Sequence, residues 1–310
     1  MDKMCFSYNE GNQSLRLDVW VLTQMNEFNE YTRSYIQKLI ENQDIKVNGR
    51  GEKTGYRLKN GDEITVFIPE AELLAISPQN ISLDVIYEDK DIIIINKGKG
   101  MVVHPAAGNP DGTLVNALLY HCKGELSDIN GIIRPGIVHR IDKDTTGLLC
   151  VAKNNAAHLA LTSQLKAHSM KRTYIALVEK AFTEERGIVD APIGRHPVDR
   201  KKMAVNLENG KVAVTHFRAW KRFSKYTLLE LSLETGRTHQ IRVHMAYIGH
   251  PVCGDELYGR KFPMSKDSNG QLLHAFKLEL VHPSTGEKME FCAPIPDYMK
   301  DVIEELEKQQ

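Results

Sequence analysis

The sequence predicts an α+β protein of two parts: a small α+β module at the N-terminus, then a larger domain built on a mixed, mainly antiparallel sheet. Three observations carry this reading. From residue 81 onward, short runs rich in Ile, Val, Leu, Tyr and Thr recur with turn residues between them, several spaced to pair as hairpins. Helical periodicity is confined to a few segments and does not alternate with the strands, as it would around a parallel sheet. Between the two parts, "PEAELLAISPQN" (69–80) holds two prolines and no clear period, which marks a connection. The expected division is a module over 1–70, a linker over 71–80 and the sheet domain over 81–310.

In the module, "SLRLDVWVLTQM" has apolar residues at Leu15, Leu17, Val19, Val21 and Leu22, a spacing that does not settle its period alone. Tyr31, Tyr35, Ile36, Leu39 and Ile40 form one helical stripe. "DIKVNG" alternates as a strand and ends in Asn48-Gly49, a hairpin signal. "YRLKNGDEITVFIP" repeats the pattern, with a short strand, a turn at Asn60-Gly61-Asp62, and alternating Ile64, Val66 and Ile68. The module therefore reads as two helices and small antiparallel strands.

In the larger domain, "LDVIYEDKDIIIINKGKG" predicts a strand, a turn and the run Ile92–Ile95, buried on both faces. "TLVNALLYHC" predicts a short helix, and "GIVHRI" and "GLLCVAK" predict strands on either side of "DKDTT". "NAAHLALTSQLKAHS" is an amphipathic helix. "RTYIALVEK", "GIVDAPI", "KVAVTHFRAWKRF", "YTLLELSLE", "LHAFKLELVHP" and "EKMEFCAP" read as strands, and "DYMKDVIEELEKQQ" as a closing helix.

Composition narrows the function. No run approaches the roughly 20 apolar residues of a membrane span, and "MDKMCFSYNEGNQ" lacks a signal peptide's apolar core. A cytoplasmic protein with no membrane partner is expected. The five cysteines are scattered without a C-x-x-C pair, against both a disulfide framework and a zinc knuckle. His239 and His244, five apart, do not share a helix face, and no metal site is expected. The net charge is zero, yet residues 134–244 carry 20 Lys/Arg against 10 Asp/Glu while every other block is net acidic. A basic middle suggests a polyanion surface.

That middle opens with "PGIVHRIDKDTTGLLCVAK" (135–153), where Asp142 and Asp144 follow His139 and Arg140. As structural residues, Asp142 would end a strand and Asp144 would order a turn or cap a helix. A phosphatase with an aspartate nucleophile is a second reading of "DKDTT". It needs an unbroken buried strand before the loop, which His139 and Arg140 interrupt, and a later acidic pair, for which "GDELYG" offers only Asp255.

"HRIDKDTTGLL" (139–149) resembles the signature of the RluA/RluD-type, large-subunit ribosomal pseudouridine synthase family, with Ile141 and Thr146 as its two departures. "VIYEDKDIIIINKGKGMVVHPA", "KRTYIALV", "RHPVDRKKMAV" and "LETGRTHQIRVHMAYIGHPVCGD" resemble the family's other motifs, in order, across about 81–295. The N-terminal part resembles the alpha-L RNA-binding module found in several RNA-modifying enzymes. The resemblance implies an isomerase acting without a cofactor on uridine in structured RNA, most naturally ribosomal RNA, with a pseudouridine synthase fold, and a monomer is expected. The runner-up is a non-catalytic RNA-binding or ribosome assembly factor on the same scaffold. It further implies Asp142 as the catalytic aspartate, Arg237 as its ion-pair partner, and Tyr174 as the residue stacking on the base. Arg140 would fill the vacated space or hold a phosphate, and Ile241 would wall the uracil slot. Candidate RNA contacts are His139, Lys143, Arg195, Arg200, Lys201, Lys202 and Arg242, with Arg16, Arg33, Lys38, Lys46 and Asn48 in the module. Asp144 belongs to the turn.

Overall fold

The computed structural model describes residues 2–9, 14–25, 33–68, 76–106, 108–129, 135–199, 201–260, 262–263 and 270–309. Tyr31, residues 69–75 of the expected connection, and Arg200 lie outside the described residues. The chain forms two compact units, Met1–Ile76 with Ile129–Ile133, and Ser77–Asp128 with Arg134–Gln310.

The first unit runs β1 (Asp2–Ser7), α1 (Leu17–Met25), α2 (Arg33–Glu41), β2 (Ile45–Val47), β3 (Arg50–Gly51) and β4 (Glu63–Ile68). Its antiparallel sheet has the order β1-β4-β2-β3. Leu17, Trp20 and Val21 of α1 and Ile36, Leu39 and Ile40 of α2 share one core with Ile45, Val47, Ile64 and Val66. Asn48 and Gly49 both take positive φ (49° and 77°), and Val47 faces Arg50 across them, the two-residue turn that suits strand twist. Two expectations change. β1 is an unforeseen strand, although Met4, Phe6 and Tyr8 alternate toward the core. The short strand expected around Arg57 is reduced to a single bridge with Arg16.

The second unit continues with β5 (Val85–Glu88), β6 (Ile92–Lys97), α3 (Leu114–His121), β7 (Thr146–Ala152), α4 (Asn155–Lys166), β8 (Lys171–Glu179), β9 (Arg186–Asp190), β10 (Ile193–Arg195) and β11 (Met203–Val205). It ends with β12 (Val214–Arg222), β13 (Tyr226–Leu233), α5 (Gln240–Tyr247), β14 (Leu273–Val281), β15 (Lys288–Cys292) and α6 (Asp297–Lys308). Nine strands make one sheet, ordered β5-β6-β7-β14-β8-β13-β12-β9 with β15 on β14. Among the described residues only β7–β14 is parallel. The mixed, mainly antiparallel sheet is as the sequence predicts. Ile92–Ile95 are 0–1% exposed, so β6 is covered on both faces. α4 packs Ala157 and Leu161 against Ile92, Ile94 and Cys150, and α6 packs Met299, Val302 and Leu306 against Ile175 and Leu177.

The second unit departs from expectation in several places. "GIVHRI" is not a strand. Gly136 takes φ 69°, Ile137 makes one bridge to Val151, and the His139 side chain, rather than a backbone carbonyl, accepts the Cys150 amide. "GIVDAPI" splits into β9 and β10 at Pro192, which has no amide to give a ladder. α5 was not visible because Gln240–Met245 are buried on every side and leave no amphipathic stripe.

Candidate active site

The loop from Arg140 to Thr145 leads into β7 and is fastened from three directions. Thr145 donates its amide to the Asp142 carbonyl at 3.2 Å, and Gln271 Nε2 donates to Thr145 Oγ1 at 3.0 Å. Beneath it the buried Lys97 ammonium donates to the carbonyls of Gly98, Met101 and Lys143 at 2.8–2.9 Å. Burial pulls the Lys97 pKa down to about 8, against the pull of Asp144 and Asp142. Gly147 then admits β14: at φ 106°, a Cβ there would lie 2.2 Å from the Ala275 carbonyl oxygen. These contacts fix where Asp142 stands.

Asp142 Oδ2 accepts a hydrogen bond from Arg242 Nη1 at 2.9 Å. The rest of that guanidinium clamps Asp255, Nε to Oδ2 at 2.6 Å and Nη2 to Oδ1 at 2.9 Å. Asp255 is fully buried and also accepts the amides of Leu257 and Tyr258. Burial works against the Arg242 charge, but Asp255 and Asp142 outweigh it and raise its pKa. Removing one member of such a buried set leaves an uncompensated charge and costs about 3–5 kcal/mol. Above the pair, His239 caps α5 in the left-handed conformation (φ 56°), with Nδ1 2.8 Å from Tyr258 Oη and Nε2 3.9 Å from Asp142 Oδ1. Burial lowers the His239 pKa, although Asp142 pulls it up.

One cleft gathers Arg140, Asp142, Tyr174, Arg237, Ile241 and Arg242, together with Arg172 and His239. Tyr174 is buried on β8, and burial raises its pKa. Ile241 is 4% exposed. Arg140 is exposed at the cleft.

The expected partner of Asp142 is corrected. Arg237 is exposed in the loop before α5 and donates Nε to the Val212 carbonyl at 2.9 Å. Arg242 takes the role because it lies in the first turn of α5, where side chains lean back toward the helix N-terminus and so reach the loop. Choosing between the two arginines requires knowing that a helix begins at residue 240, and nothing in the pattern announced it. Asp255, which the sequence offers only as one half of the acidic pair a phosphatase would need, is the buried carboxylate that orients Arg242.

His139 is also corrected as a phosphate contact. Its Nε2 accepts the Cys150 amide at 3.0 Å, its Nδ1 is sealed from solvent, and burial with the nearby Arg172 charge lowers its pKa to about 3. Lys143 and Lys201 are exposed and Lys202 half-buried, while Arg195 ends β10. In the first unit Lys38 and Asn48 are exposed and Lys46 half-buried. Arg16 and Arg33 keep exposed side chains but are anchored to the buried Asp18, which also accepts from Gln37 at 2.7 Å. Burial would raise the Asp18 pKa, but hydrogen bonds from Arg16, Gln37 and Arg33 bring it down to about 2. Asp144 packs beside Gly270, consistent with a place in the turn.

One group of metal-ligating side chains occurs among the described residues, Asp89, Asp91 and His282. Its carboxylate oxygens already accept from Tyr87, His282, Asn154 and Ser284 and from the amides of Asp91 and Ile92, so it serves as a staple between two turns. Among the described residues no helix is long and apolar enough to cross a membrane.

Comparison with known proteins gives the family of the chain. A family model described as RNA pseudouridylate synthase matches residues 91–247, and an S4 domain model matches residues 15–64. The chain is 47% identical over 308 residues to an uncharacterised RNA pseudouridine synthase, YlyB, of Bacillus subtilis, covering 99% of each chain. It is 45% identical over 308 residues to ribosomal large subunit pseudouridine synthase D of Escherichia coli K12, covering 96% of this chain and 92% of that one. The solved structure of human RNA pseudouridylate synthase domain containing 1 aligns with a TM-score of 0.57 at 26% identity, over 74% of this chain and 96% of that one. Identity of this level over almost the full length, with both domain models in place, means that the chain belongs to the RNA pseudouridylate synthase family, an isomerase carrying an S4 domain at its N-terminus.

Proposed function

We propose that this RNA pseudouridine synthase acts on uridine in large-subunit ribosomal RNA, and that Asp142 is its catalytic carboxylate, working on a nucleotide flipped out of its helix. The observation that carries the assignment is the asymmetry of Asp142. Oδ2 is held by Arg242, while among the described residues no donor lies within hydrogen-bond distance of Oδ1. A carboxylate anchored by one oxygen and open at the other, in a cleft, suits a reacting group.

The isomerisation breaks the C1′–N1 bond, turns the base and forms a C1′–C5 bond. The proton that C5 loses is balanced by the one N1 gains, so no redox partner is required. A stacked base offers no path to its sugar, and flipping it costs a few kcal/mol. Tyr174 presents an aromatic ring to the flipped base, and burial disfavours ionisation of its hydroxyl. Ile241 walls the slot, and Arg140 at the mouth meets the backbone or the gap the base leaves. The ribosomal substrate rests on the Escherichia coli relative and on a relative of the same name from Haemophilus ducreyi, 46% identical over 296 residues. Lys38 and Lys46 of the S4 domain, with Lys143, Arg195, Arg200, Lys201 and Lys202, supply phosphate contacts.

The test is Asp142→Asn in cells, with pseudouridine mapped across total RNA. At least one site in large-subunit ribosomal RNA should vanish while the purified variant still binds RNA. Retention of every site would exclude Asp142 as the catalytic group, and loss confined to transfer RNA would refute the substrate class.

A further inference from the structure

Two buried arginines share the cleft, and they differ in one respect. Arg242 is 8% exposed and lies between two carboxylates. Arg172 is also 8% exposed, yet among the described residues its guanidinium has neither a hydrogen-bond acceptor nor a carboxylate within ion-pair distance. Its Nε is sealed from solvent without a partner, while the side chain lines the cleft. Burying a charged group without an acceptor is costly, and a protein that keeps one has another use for it.

The surroundings say what that use is. Arg172 and Tyr174 lie two apart on β8, so they point to the same face. Gly236 roofs the guanidinium, and a Cβ there would stand 2.8 Å from Arg172 Nη1. His139 offers no acceptor: its Nε2 is taken by the Cys150 amide, which leaves Nδ1 to carry the proton in the neutral ring. The field of Arg172 nonetheless reaches its neighbours, depressing the His139 pKa and opposing the rise at Tyr174. Arg140 and Arg237 are exposed at the same cleft and are better placed for backbone phosphates, whereas Arg172 is buried beside the ring expected to stack on the base.

We propose that Arg172 is a catalytic residue facing the uracil: its guanidinium binds the carbonyl oxygens of the flipped base and stabilises the negative charge that collects there as the glycosidic bond breaks. This rests on the catalytic reading given above. Whichever role Asp142 takes, the electron pair of C1′–N1 leaves with the base, spreads over N1, O2 and O4, and returns to C1′ when C5 forms the new bond. A fixed cation beside the base acts where that charge develops.

The experiment uses the full-length chain and an RNA carrying either uridine or 5-fluorouridine at the target position. Arg172→Met should slow single-turnover loss of uridine by about 10²–10³-fold, as removal of one preorganised donor does. RNA affinity and its salt slope should stay unchanged. The loss should be at least about tenfold smaller with 5-fluorouridine, because fluorine itself stabilises the base anion and leaves less for the arginine to supply. Arg172→Lys should recover part of the rate. The thermal midpoint of Arg172→Met should not fall, since an uncompensated charge has been removed. A lower midpoint with equal losses on both substrates would assign Arg172 to structure and overturn the proposal. So would an unchanged rate, or a weaker affinity with a shallower salt slope, which would mark a phosphate contact. Asp142→Asn in the same assay separates the two claims: an active Asp142→Asn overturns the catalytic reading, and an inactive one beside a fully active Arg172→Met overturns this inference alone.

Discussion

At the scale of single residues, the site depends on one guanidinium shared by two carboxylates. Asp255 takes two of its nitrogens and Asp142 a third. Lysine could satisfy one carboxylate but not both, because it presents a point charge without a planar fork. Arg242→Lys should therefore lower kcat by about 100-fold, the scale of a roughly 1 Å misplacement of a reacting group, with RNA affinity little changed. The same exchange at exposed Arg237 should leave kcat nearly untouched. Steady-state kinetics on the two variants decides it, and the reverse pattern would mean that Arg237 is the working partner. Asp142 stands out in the sequence as a candidate because it lies inside a long string with a recognisable order. Its partner does not, because Arg237 and Arg242 fall in one stretch and their difference is a matter of helix phase and depth. Arg172 and Asp255 were illegible as site residues for a related reason, since neither burial nor the absence of a partner is written in local sequence.

At the scale of elements, the departures share a cause: tertiary contacts replaced a local signal. "GIVHRI" has the apolar texture of a strand, yet His139 supplies by its side chain the acceptor that a strand would have supplied by its backbone. α5 carries no amphipathic signature because both its faces are covered. The continuous Ile92–Ile95 run and the amphipathic tail helix, whose signals depend only on burial pattern, came out as read. In the S4 domain the joint between α1 and α2 is electrostatic. Asp18, fully buried, ties Arg16, Arg33 and Gln37 together. With its pKa near 2 in the folded chain, below the usual carboxylate range, the unfolded chain binds the proton first. The stabilisation is complete above about pH 4 and is lost as the pH falls toward about 2. Asp18→Asn should cost this domain on the order of 2 kcal/mol near neutrality and flatten its acid sensitivity. Hydrogen exchange of the Ile36–Ile40 amides between pH 6 and pH 3 reads both effects. Equal acid sensitivity in the two proteins would remove Asp18 from the account.

At the scale of the whole molecule, charge is unevenly assigned. Residues 134–244 carry the positive excess, while residues 1–80 hold 9 Lys/Arg against 12 Asp/Glu. The S4 domain spends two of those nine, Arg16 and Arg33, on its own Asp18. An RNA-binding domain with so few free cations contributes a small number of phosphate contacts, so its part in affinity should be modest and countable. Its core is built from residues of α1, α2, β2 and β4 with Tyr8 and Leu58, and Met4 and Phe6 of β1 pack against it. Deleting residues 1–76 should therefore leave the second unit folded. If Lys38 and Lys46 are the contacts, the slope of log K against log salt should become shallower by about 1.4–1.8, at 0.7–0.9 per phosphate. The Lys38→Ala/Lys46→Ala double variant of the full chain should reproduce the same change. Single-turnover rates at saturating RNA should stay near the parent value, because the cleft residues all come from the second unit. An unchanged salt slope would mean that the S4 domain does not touch phosphate, and a slope change much larger than two contacts would mean that it presents RNA with more than these two lysines.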